Sequence, residues 1–274
     1  HGKRGTYVHD LFRDKALKFL VENKEDPSFL YLASTIPHAE LIVPEESLAE
    51  FRGKFPETPF VEDGQGSNRE SRFGAYASQA TPNAAYAAMV TRLDRDLGAI
   101  MRKLKELGID EDTVVMFSSD NGPHTEGGCD PEFFDSNGPF RGVKRDLYEG
   151  GIRVPMIVRW PAKIAPGQTT NLPSTFWDVL PTCAELAGMK APVHVDGISF
   201  LPTLLGNTEE QEEHEFLYWE FNQASAGQPD EEDDGAWAVR PAVTKQAVRM
   251  GRWKAFRESP LAKLELYNLH RDPG

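Results

Sequence analysis

Apolar residues recur along the first half of the chain with spacings that predict two helices and two strands. In residues 10–23 they fall near helical spacing, and in residues 29–33 they form a short unbroken run that is typical of a buried strand. A long apolar face begins at Pro82, a favoured first helical residue, and ends at Gly108, a favoured stop. A β-branched run then covers residues 113–117, which predicts a parallel strand covered on both faces.

The second half of the chain changes in texture after Gly206. Before that point the pattern predicts a buried strand at 155–160 and a helix at 176–187, so strands and helices alternate as in an α/β sheet with crossover helices. Beyond it, apolar runs at 247–256 and 264–269 predict strands without helices between them, and hence a small antiparallel subdomain. A further apolar run, at 216–219, lies between two acidic stretches. We therefore divide the chain into an α/β part, residues 1–205, and a subdomain, residues 206–274.

Three segments have the composition expected of surface loops. They lie at 35–79, 127–137 and 222–240. The first is rich in Pro, Gly, Glu and Ser over a length that is uncommon for a loop unless it is functional or disordered. Because loops at the edge of a sheet often form the walls of a binding pocket, we expect these three to shape specificity. Their composition does not identify a substrate.

The composition excludes several classes of protein. With 274 residues and 30.6 kDa, the chain is long enough for one large domain, or one domain and a smaller appendage, without a disulfide framework. Cys129 and Cys183 can form one disulfide at most. The net charge of −13 repels nucleic acid and anionic membranes, and no apolar run approaches the ~20 residues of a membrane span. We therefore expect neither nucleic acid nor a membrane as a partner.

The tripeptide Asp120-Asn121-Gly122 lies where the strand at 113–117 is predicted to end. Ligands of open α/β sheets gather at the carboxyl ends of parallel strands. A carboxylate beside an amide oxygen suits a hard divalent cation such as Ca²⁺ or Mg²⁺. The same tripeptide also favours a tight turn, because Asn and Gly accept positive φ angles. The residues alone leave both interpretations open.

Two histidines and a cationic segment are further candidates. His38 follows the strand at 29–33 after a short turn, and His124 lies two residues after Gly122. A histidine in a pocket can donate a proton to a leaving oxygen, and a structural hydrogen-bonding role is the alternative for each. Residues 138–155 are dense in glycine and cations and include Lys144. Such a segment can bind sulfate or phosphate oxygens, or it can be a tight loop with solvated cations.

Several short motifs occur together in a fixed order. The chain has Ser118-Ser119-Asp120-Asn121-Gly122-Pro123, then Lys144 at 24 positions after Asp120, then Tyr148-Glu149-Gly150-Gly151-Ile152-Arg153-Val154-Pro155. Further segments are Ala33-Ser34-Thr35-Ile36-Pro37-His38, Leu93-Asp94, Phe176-Trp177-Asp178-Val179-Leu180-Pro181-Thr182, Asp196-Gly197-Ile198-Ser199-Phe200 and Leu266-Tyr267-Asn268-Leu269. In this combination the chain resembles the sulfatase family of the alkaline-phosphatase superfamily. The resemblance covers nearly the whole chain.

The resemblance implies an alkaline-phosphatase-like mixed sheet flanked by helices, incomplete in this chain, with a small C-terminal antiparallel α+β subdomain. It implies that Asp120 and Asn121 form half of a metal site, usually for Ca²⁺. It also implies that Lys144 contacts the sulfate group and that His38 lies near the leaving oxygen, which makes these two the expected catalytic residues. His124 matches a position that is often histidine in bacterial sulfatases, and we expect it to bind the substrate.

The sequence departs from the family pattern at the nucleophile. Sulfatases hydrolyse sulfate esters through a gem-diol on formylglycine, made from the Cys or Ser of a Cys/Ser-x-Pro/Ala-x-Arg motif. Neither Cys129 nor Cys183 has these neighbours, and no serine has them. We expect the motif, and the paired aspartates of the metal site, to lie upstream of this chain. Because Ca²⁺ takes about six to eight oxygens, we expect weak or no metal binding and no turnover by this chain alone.

Two alternatives stay open in the sequence. Phosphodiesterases and phosphonate hydrolases of the same superfamily can share the ligand geometry, and the upstream motif would distinguish them. The other alternative is a catalytically dead domain that binds sulfated glycans or a partner protein. A gene that begins near His1 would favour this alternative. For a sulfatase, the expected partner is a sulfated small molecule or glycan. The resemblance favours a periplasmic or secreted location, and the oligomeric state is not predicted.

Overall fold

The computed structural model describes residues 5–61, 76–223 and 243–273. In the described residues of the first half, the chain forms three helices: α1 (Val8–Glu22), α2 (Glu45–Ala49) and α3 (Pro82–Leu107). Apolar side chains of α3 and of the surrounding segments form a core cluster of Ile36, Leu41, Ala85, Met89 and Cys129. The cluster therefore joins α3 to the chain on both sides of His38. Among the residues described, no helix combines the length and the apolar character needed to span a membrane.

Helix α3 confirms the long helix predicted from its apolar face. Pro82 occupies the first turn, where its missing N–H costs no hydrogen bond. The helix ends at Gly108, whose φ of 74° is left-handed and whose N–H bonds to the carbonyl of Leu104. The first predicted helix is confirmed as α1, and an ion pair between Arg92 of α3 and Asp10 of α1 links the two helices.

Strands β1 (Val115–Ser118) and β2 (Met156–Arg159) form a two-stranded antiparallel sheet. The prediction of parallel strands covered on both faces is therefore wrong: β1 is half-buried, and Ile157 of β2 is 63% exposed. A parallel connection needs a crossover, usually a helix of some length. The chain between these strands contains instead a 3₁₀ turn, Glu126–Gly128, and a four-residue helix, α4 (Glu149–Ile152).

The apolar run at 29–33 is not part of a strand ladder, so the buried strand predicted there is wrong. The side chains of Phe29 and Tyr31 are 69% and 80% exposed. A strand satisfies its backbone N–H and C=O groups by pairing with a neighbour. Strands β1 and β2 pair with each other, and no ladder in the described ranges includes this run.

The predicted loop at 35–79 is described in part. Outside the short helix α2 and an isolated antiparallel bridge, its described residues are irregular, as predicted. Residues 62–75 lie outside the described residues. So do residues 224–242, which include most of the loop predicted at 222–240.

Helix α5 (Val179–Leu186) follows a 3₁₀ turn, Phe176–Asp178, where the sequence pattern predicts a helix. The Asp178 carboxylate is buried and closes a capping box at the start of this turn. It also lies 2.8 Å from Nε2 of His214. A short helix, α6 (Leu201–Leu204), and a 3₁₀ turn, Thr208–Glu210, lead into the last part of the chain.

Four antiparallel strands in the order β3-β4-β5-β6 form the small sheet predicted near the C-terminus. They are β3 (Leu217–Gln223), β4 (Val243–Met250), β5 (Trp253–Arg257) and β6 (Glu265–Asn268). The apolar run at 247–256 is a hairpin rather than one strand, because Gly251, with a φ of 53°, turns the chain between β4 and β5.

A second core cluster joins this sheet to the middle of the chain. Ala247 and Phe256 of the sheet pack with Leu147 and Tyr148, which lie just before α4. The rings of Tyr148 and Phe256 are 4.3 Å apart. The sheet therefore supports the segment that follows Lys144.

Candidate active site

His38 lies in a turn just after the exposed apolar run, where its N–H bonds to the carbonyl of Thr35. Its Nδ1 lies 2.7 Å from the carbonyl oxygen of Ala39, so this nitrogen donates a hydrogen. The lone pair of Nε2 then accepts from the ammonium of Lys144 across 2.6 Å. These partners assign the Nδ1–H tautomer to His38.

Lys144 lies in a loop that is hydrogen-bonded to the loop of the predicted metal ligands. From there its side chain reaches His38. The N–H of Lys144 donates to the carbonyl of Pro123 at 2.8 Å. Its side chain is 18% exposed. Because 106 positions separate Lys144 from His38, their contact depends on the tertiary fold.

His124 stacks on His38, with ring centroids 4.9 Å apart and 20° between the planes. Its Nε2 lies 3.2 Å from the carbonyl oxygen of Pro37 and donates to it. Burial lowers the pKa of His124 below its usual value, although the Pro37 carbonyl and the nearby Glu126 oppose the shift. At neutral pH the ring is therefore an uncharged surface that holds His38 in position.

Glu126, which the sequence analysis missed, lies among these side chains. Its Oε1 is 2.5 Å from a guanidinium nitrogen of Arg145 and 3.9 Å from Lys144 Nζ. Its Oε2 is 2.9 Å from His124 Nδ1. Burial raises the pKa of the Glu126 carboxyl, but the hydrogen bond from Arg145 and the nearby positive charges outweigh burial and hold it below its usual range. The signal in the sequence is an acid in a glycine-rich turn two residues after a candidate histidine.

Asp120 and Asn121 lie in the loop after β1. Asp120 is exposed, and Asn121 Nδ2 donates to the carbonyl of Gly122 at 2.9 Å, which leaves its Oδ1 to bind a cation. A carboxylate and an amide oxygen are ligands of the type that Ca²⁺ takes, so their chemistry fits. Within the described ranges, no group of three or more acidic, histidine or cysteine side chains is placed to hold a metal. The metal-binding role of Asp120 and Asn121 therefore stays a prediction.

Glycines bring this loop against the segment that follows Lys144. The N–H of Gly122 donates to the carbonyl of Gly151 at 2.9 Å. A Cβ on Gly122 would lie 1.9 Å from the carbonyl oxygen of Gly150, and a Cβ on Gly150 would lie 2.2 Å from that of Gly142. Backbones approach this closely where no side chain stands between them. The loop after β1, α4 and the glycine-rich segment therefore pack as one unit.

The structure brings three of the predicted site residues into contact. We call His38, His124 and Lys144 the His–Lys cluster. Asp120 and Asn121 are joined to it through the neighbouring backbone, and in the part of the chain described no hydrogen bond or ion pair links their side chains to the cluster. The catalytic, substrate-binding and metal-binding roles of the five residues stay predictions.

The His–Lys cluster has the chemistry of an anion site. The Lys144 ammonium has three N–H donors, and His38 takes one of them. An oxyanion that accepts from the others would lie beside an imidazole nitrogen that can hold or release a proton. The cluster can therefore fix a charged group and assist the departure of an oxygen attached to it.

Comparisons with known proteins bear on this chemistry. The family model described as sulfatase matches residues 2–189, and the model described as N-sulphoglucosamine sulphohydrolase, C-terminal, matches residues 140–274. Steryl-sulfatase of Mus musculus is 41% identical over 138 residues, which cover 49% of this chain and 22% of that protein. Arylsulfatase A of Homo sapiens is 30% identical over 290 residues, which cover 98% of this chain and 46% of that protein. The chain spans less than half the length of either relative.

A solved structure extends the likeness to the fold. The crystal structure of Ps i-CgsB in complex with k-i-k-neocarrahexaose matches with a TM-score of 0.70 and 25% sequence identity. The match covers 99% of this chain and 50% of that chain. It therefore includes both the helical part around the His–Lys cluster and the C-terminal sheet.

Proposed function

The chain belongs to the sulfatase family and has its alkaline-phosphatase-like α/β fold, and on this premise we propose that it is part of an enzyme that hydrolyses sulfate monoesters. The substrate we propose is a carbohydrate or aryl sulfate. The observation that carries the proposal is the 2.6 Å contact between Lys144 Nζ and His38 Nε2, beside the stacked ring of His124. This contact places a cation that can bind the sulfate group next to an imidazole that can assist the leaving oxygen.

Each member of the His–Lys cluster has a distinct proposed role. The ammonium of Lys144 donates to the sulfate oxygens, since a charge-assisted hydrogen bond is stronger than a neutral one. When protonated, Nε2 of His38 can donate to the leaving oxygen in place of the hydrogen bond that it accepts from Lys144. His124 contacts the substrate and fixes the plane of His38 by stacking.

Asp120 and Asn121 are the proposed ligands of a Ca²⁺ ion. When bound, such a cation adds positive charge that stabilises the oxygens of the sulfate group. Ca²⁺ takes about six to eight oxygen ligands, and these two residues supply fewer. We therefore expect this chain alone to bind Ca²⁺ weakly. The remaining ligands are proposed to come from a part of the protein that precedes these residues.

The nucleophile is proposed to be a formylglycine in that same preceding part, because neither cysteine of this chain has the required neighbours. The isolated chain is then inactive. Within it, residues 1–205 are proposed as the C-terminal portion of the catalytic α/β domain and residues 206–274 as a small antiparallel subdomain. A periplasmic or secreted location is proposed. A sulfated small molecule or glycan is the proposed partner, and the hexaose in complex with Ps i-CgsB supports a glycan.

Equilibrium binding of 4-nitrophenyl sulfate to the chain, measured by isothermal titration calorimetry at pH 7, tests the anion site. We expect Lys144→Met to weaken binding about tenfold or more, equal to ~1.4 kcal/mol, because a charge-assisted hydrogen bond is lost. Lys163→Met, at an exposed lysine after β2, is the matched control. Equal binding by the two variants would contradict the proposed role of Lys144.

Hydrolysis of the same ester tests where the nucleophile lies. At mildly acidic to neutral pH with Ca²⁺ added, we expect no turnover by this chain, because positioning without a covalent nucleophile leaves only a small residue of catalysis. Clear release of 4-nitrophenol would show that the chain contains its own nucleophile and would overturn the formylglycine proposal.

A further inference from the structure

We propose that Glu126 tunes specificity: its carboxylate offsets one of two positive charges, Lys144 of the His–Lys cluster and the neighbouring Arg145, and so shifts the selectivity of the site towards singly charged sulfate esters and away from doubly charged phosphate esters. The inference rests on the proposed function and deepens it. It assigns to one buried acid the choice between two classes of ester that have nearly the same shape.

Three charged side chains meet at this point. Glu126 Oε1 lies 2.5 Å from the guanidinium of Arg145 and 3.9 Å from the ammonium of Lys144. The two cations alone would present two positive charges to a bound anion. With Glu126 ionised, the net charge of the three groups is +1. The hydrogen bond from Arg145 and the nearby cations keep Glu126 ionised at neutral pH, against the effect of burial.

The carboxylate is enclosed rather than screened by water. The Glu126 side chain is 11% exposed, and its Oε2 is buried without a hydrogen-bond donor in the described residues. The 2.9 Å approach to His124 Nδ1 gives Oε2 a donor if the ring is protonated there. In the neutral ring that nitrogen accepts from the Glu126 N–H at 3.2 Å. A buried carboxylate with one unpaired oxygen costs free energy, so packing gives no reason for an acid here, whereas charge balance does.

An anion held by Lys144 would be close enough to be repelled by Glu126. An oxygen that accepts from Lys144 Nζ at ~2.8 Å would lie within about 7 Å of Glu126 Oε1. This separation is shorter than the ~8 Å Debye length at physiological ionic strength, and buried charges are screened still less. The repulsion is proportional to the charge on the anion, so a dianion meets about twice the repulsion of a monoanion.

Sulfate and phosphate monoesters differ in that charge. Both are tetrahedral groups that offer three peripheral oxygens to the same donors. The sulfate monoester carries one negative charge, and the phosphate monoester carries close to two above pH 7, because its second pKa is ~6. Glu126 lowers the net charge of the three groups from +2 to +1, which reduces the attraction of the phosphate ester about twice as much as that of the sulfate ester.

The test compares 4-nitrophenyl sulfate with 4-nitrophenyl phosphate at pH 8 by isothermal titration calorimetry. For Glu126→Gln we expect the ratio of phosphate to sulfate affinity to rise about tenfold, because the neutral amide removes the repulsion from the dianion most strongly. Glu132→Gln, at an exposed acid of the same loop, is the matched control and should leave the ratio unchanged. A purely structural role for Glu126 would lower both affinities together and overturn the inference.

Arg145→Gln is the second variant, since its side chain is 51% exposed and its loss should not prevent folding. It removes a cation, so the ratio of phosphate to sulfate affinity should fall, opposite in sign to the effect at Glu126. If sulfate binds and neither variant shifts the ratio, the inference is wrong and the proposed function stands. If the unmodified chain binds neither ester, both fail.

Discussion

Cys129 and Cys183 show how burial sets the chemistry of a side chain. Cys129 is 8% exposed and lies in the core cluster with Ile36 and Met89. Burial raises its pKa to about 12, and neighbouring acids add to the shift. Cys183 is half-buried, and burial raises its pKa as well. Because the thiolate is the nucleophilic form of cysteine, neither thiol is activated, which is consistent with a nucleophile supplied from elsewhere.

We predict that iodoacetamide at pH 8 alkylates Cys183 faster than Cys129 in the folded chain. With a pKa of about 12, the thiolate fraction of Cys129 at this pH is on the order of 0.01%, and its burial also blocks access. Mass spectrometry of the labelled peptides measures both rates. Cys183→Ala isolates the remaining thiol, which should react only after urea is added. Rapid labelling of Cys129 without urea would show that the core cluster is open.

The residues of the site differ in how far the sequence identifies them. His38 and Lys144 lie in motifs whose neighbours in the chain point to them. Glu126 becomes significant only through its proximity to Lys144 and Arg145, and Arg145 lies 19 positions further along the chain. A local pattern reports an acid in a turn and carries no information on which cations the fold brings to it.

At the scale of elements, helix α4 fits against residues 140–142, and against Gly122 of the loop after β1, because the facing positions lack side chains. A Cβ on Gly150 would meet the carbonyl oxygens of Gly142, Arg141 and Phe140 at 2.2, 2.6 and 2.8 Å. All three obstacles are backbone atoms, which cannot rotate away as the end of a flexible side chain can. The sequence explains these glycines only once the fold shows what lies opposite them.

We predict that Gly150→Ala lowers the free energy of unfolding by about 3 kcal/mol, because the added methyl group forces backbone segments apart. Gly98→Ala is the matched control: it lies in α3, and its Cβ would meet only the end of the Arg102 side chain, at 3.4 Å. That variant should be neutral or stabilising by up to ~1 kcal/mol. Urea unfolding followed by fluorescence measures both, and equal stabilities would contradict the close packing of α4.

The structure confirms the predicted helices α1 and α3 and the C-terminal antiparallel sheet, but not the strand at 29–33 or the parallel orientation of β1 and β2, for a physical reason. The start of α3 at Pro82 and its end at Gly108 are set by residues within the element itself. The run at 29–33 has strand composition, but a strand also needs a neighbour, and the described structure gives it none. The orientation of β1 and β2 depends likewise on the path of the chain between them, which their own residues do not encode.

At the scale of the whole molecule, a buried ion pair ties the C-terminal sheet to the site. Lys254 of β5 is 2% exposed, and its Nζ lies 2.8 Å from the carboxylate of Glu149, the first residue of α4. Burial lowers the pKa of Lys254, although the charge of Glu149 opposes this. Helix α4 continues into Gly150 and Gly151, which contact Gly122 in the loop of the predicted metal ligands. The sheet is therefore coupled to that loop through a short series of contacts.

We predict that Lys254→Met lowers the free energy of unfolding by about 3–5 kcal/mol, because it leaves the buried Glu149 carboxylate with only a longer ion pair, 3.7 Å from the half-exposed Arg153. Glu149→Gln combined with Lys254→Met should cost less than the sum of the two single changes, since the double variant buries no unpaired charge. Lys190→Met, at an exposed lysine, is the control and should stay within about 0.5 kcal/mol of the unmodified chain. Urea unfolding measures all four.

The same variants test whether the coupling reaches the site. If α4 is held in place by Lys254, then Lys254→Met should weaken binding of 4-nitrophenyl sulfate under conditions where circular dichroism shows the chain still folded. The double variant should recover part of that affinity, because α4 no longer carries a buried carboxylate that has lost its Lys254 partner. An affinity that does not change in Lys254→Met would show that the sheet and the His–Lys cluster are energetically independent. Additive stabilities in the double-variant cycle would show that Lys254 and Glu149 do not stabilise each other.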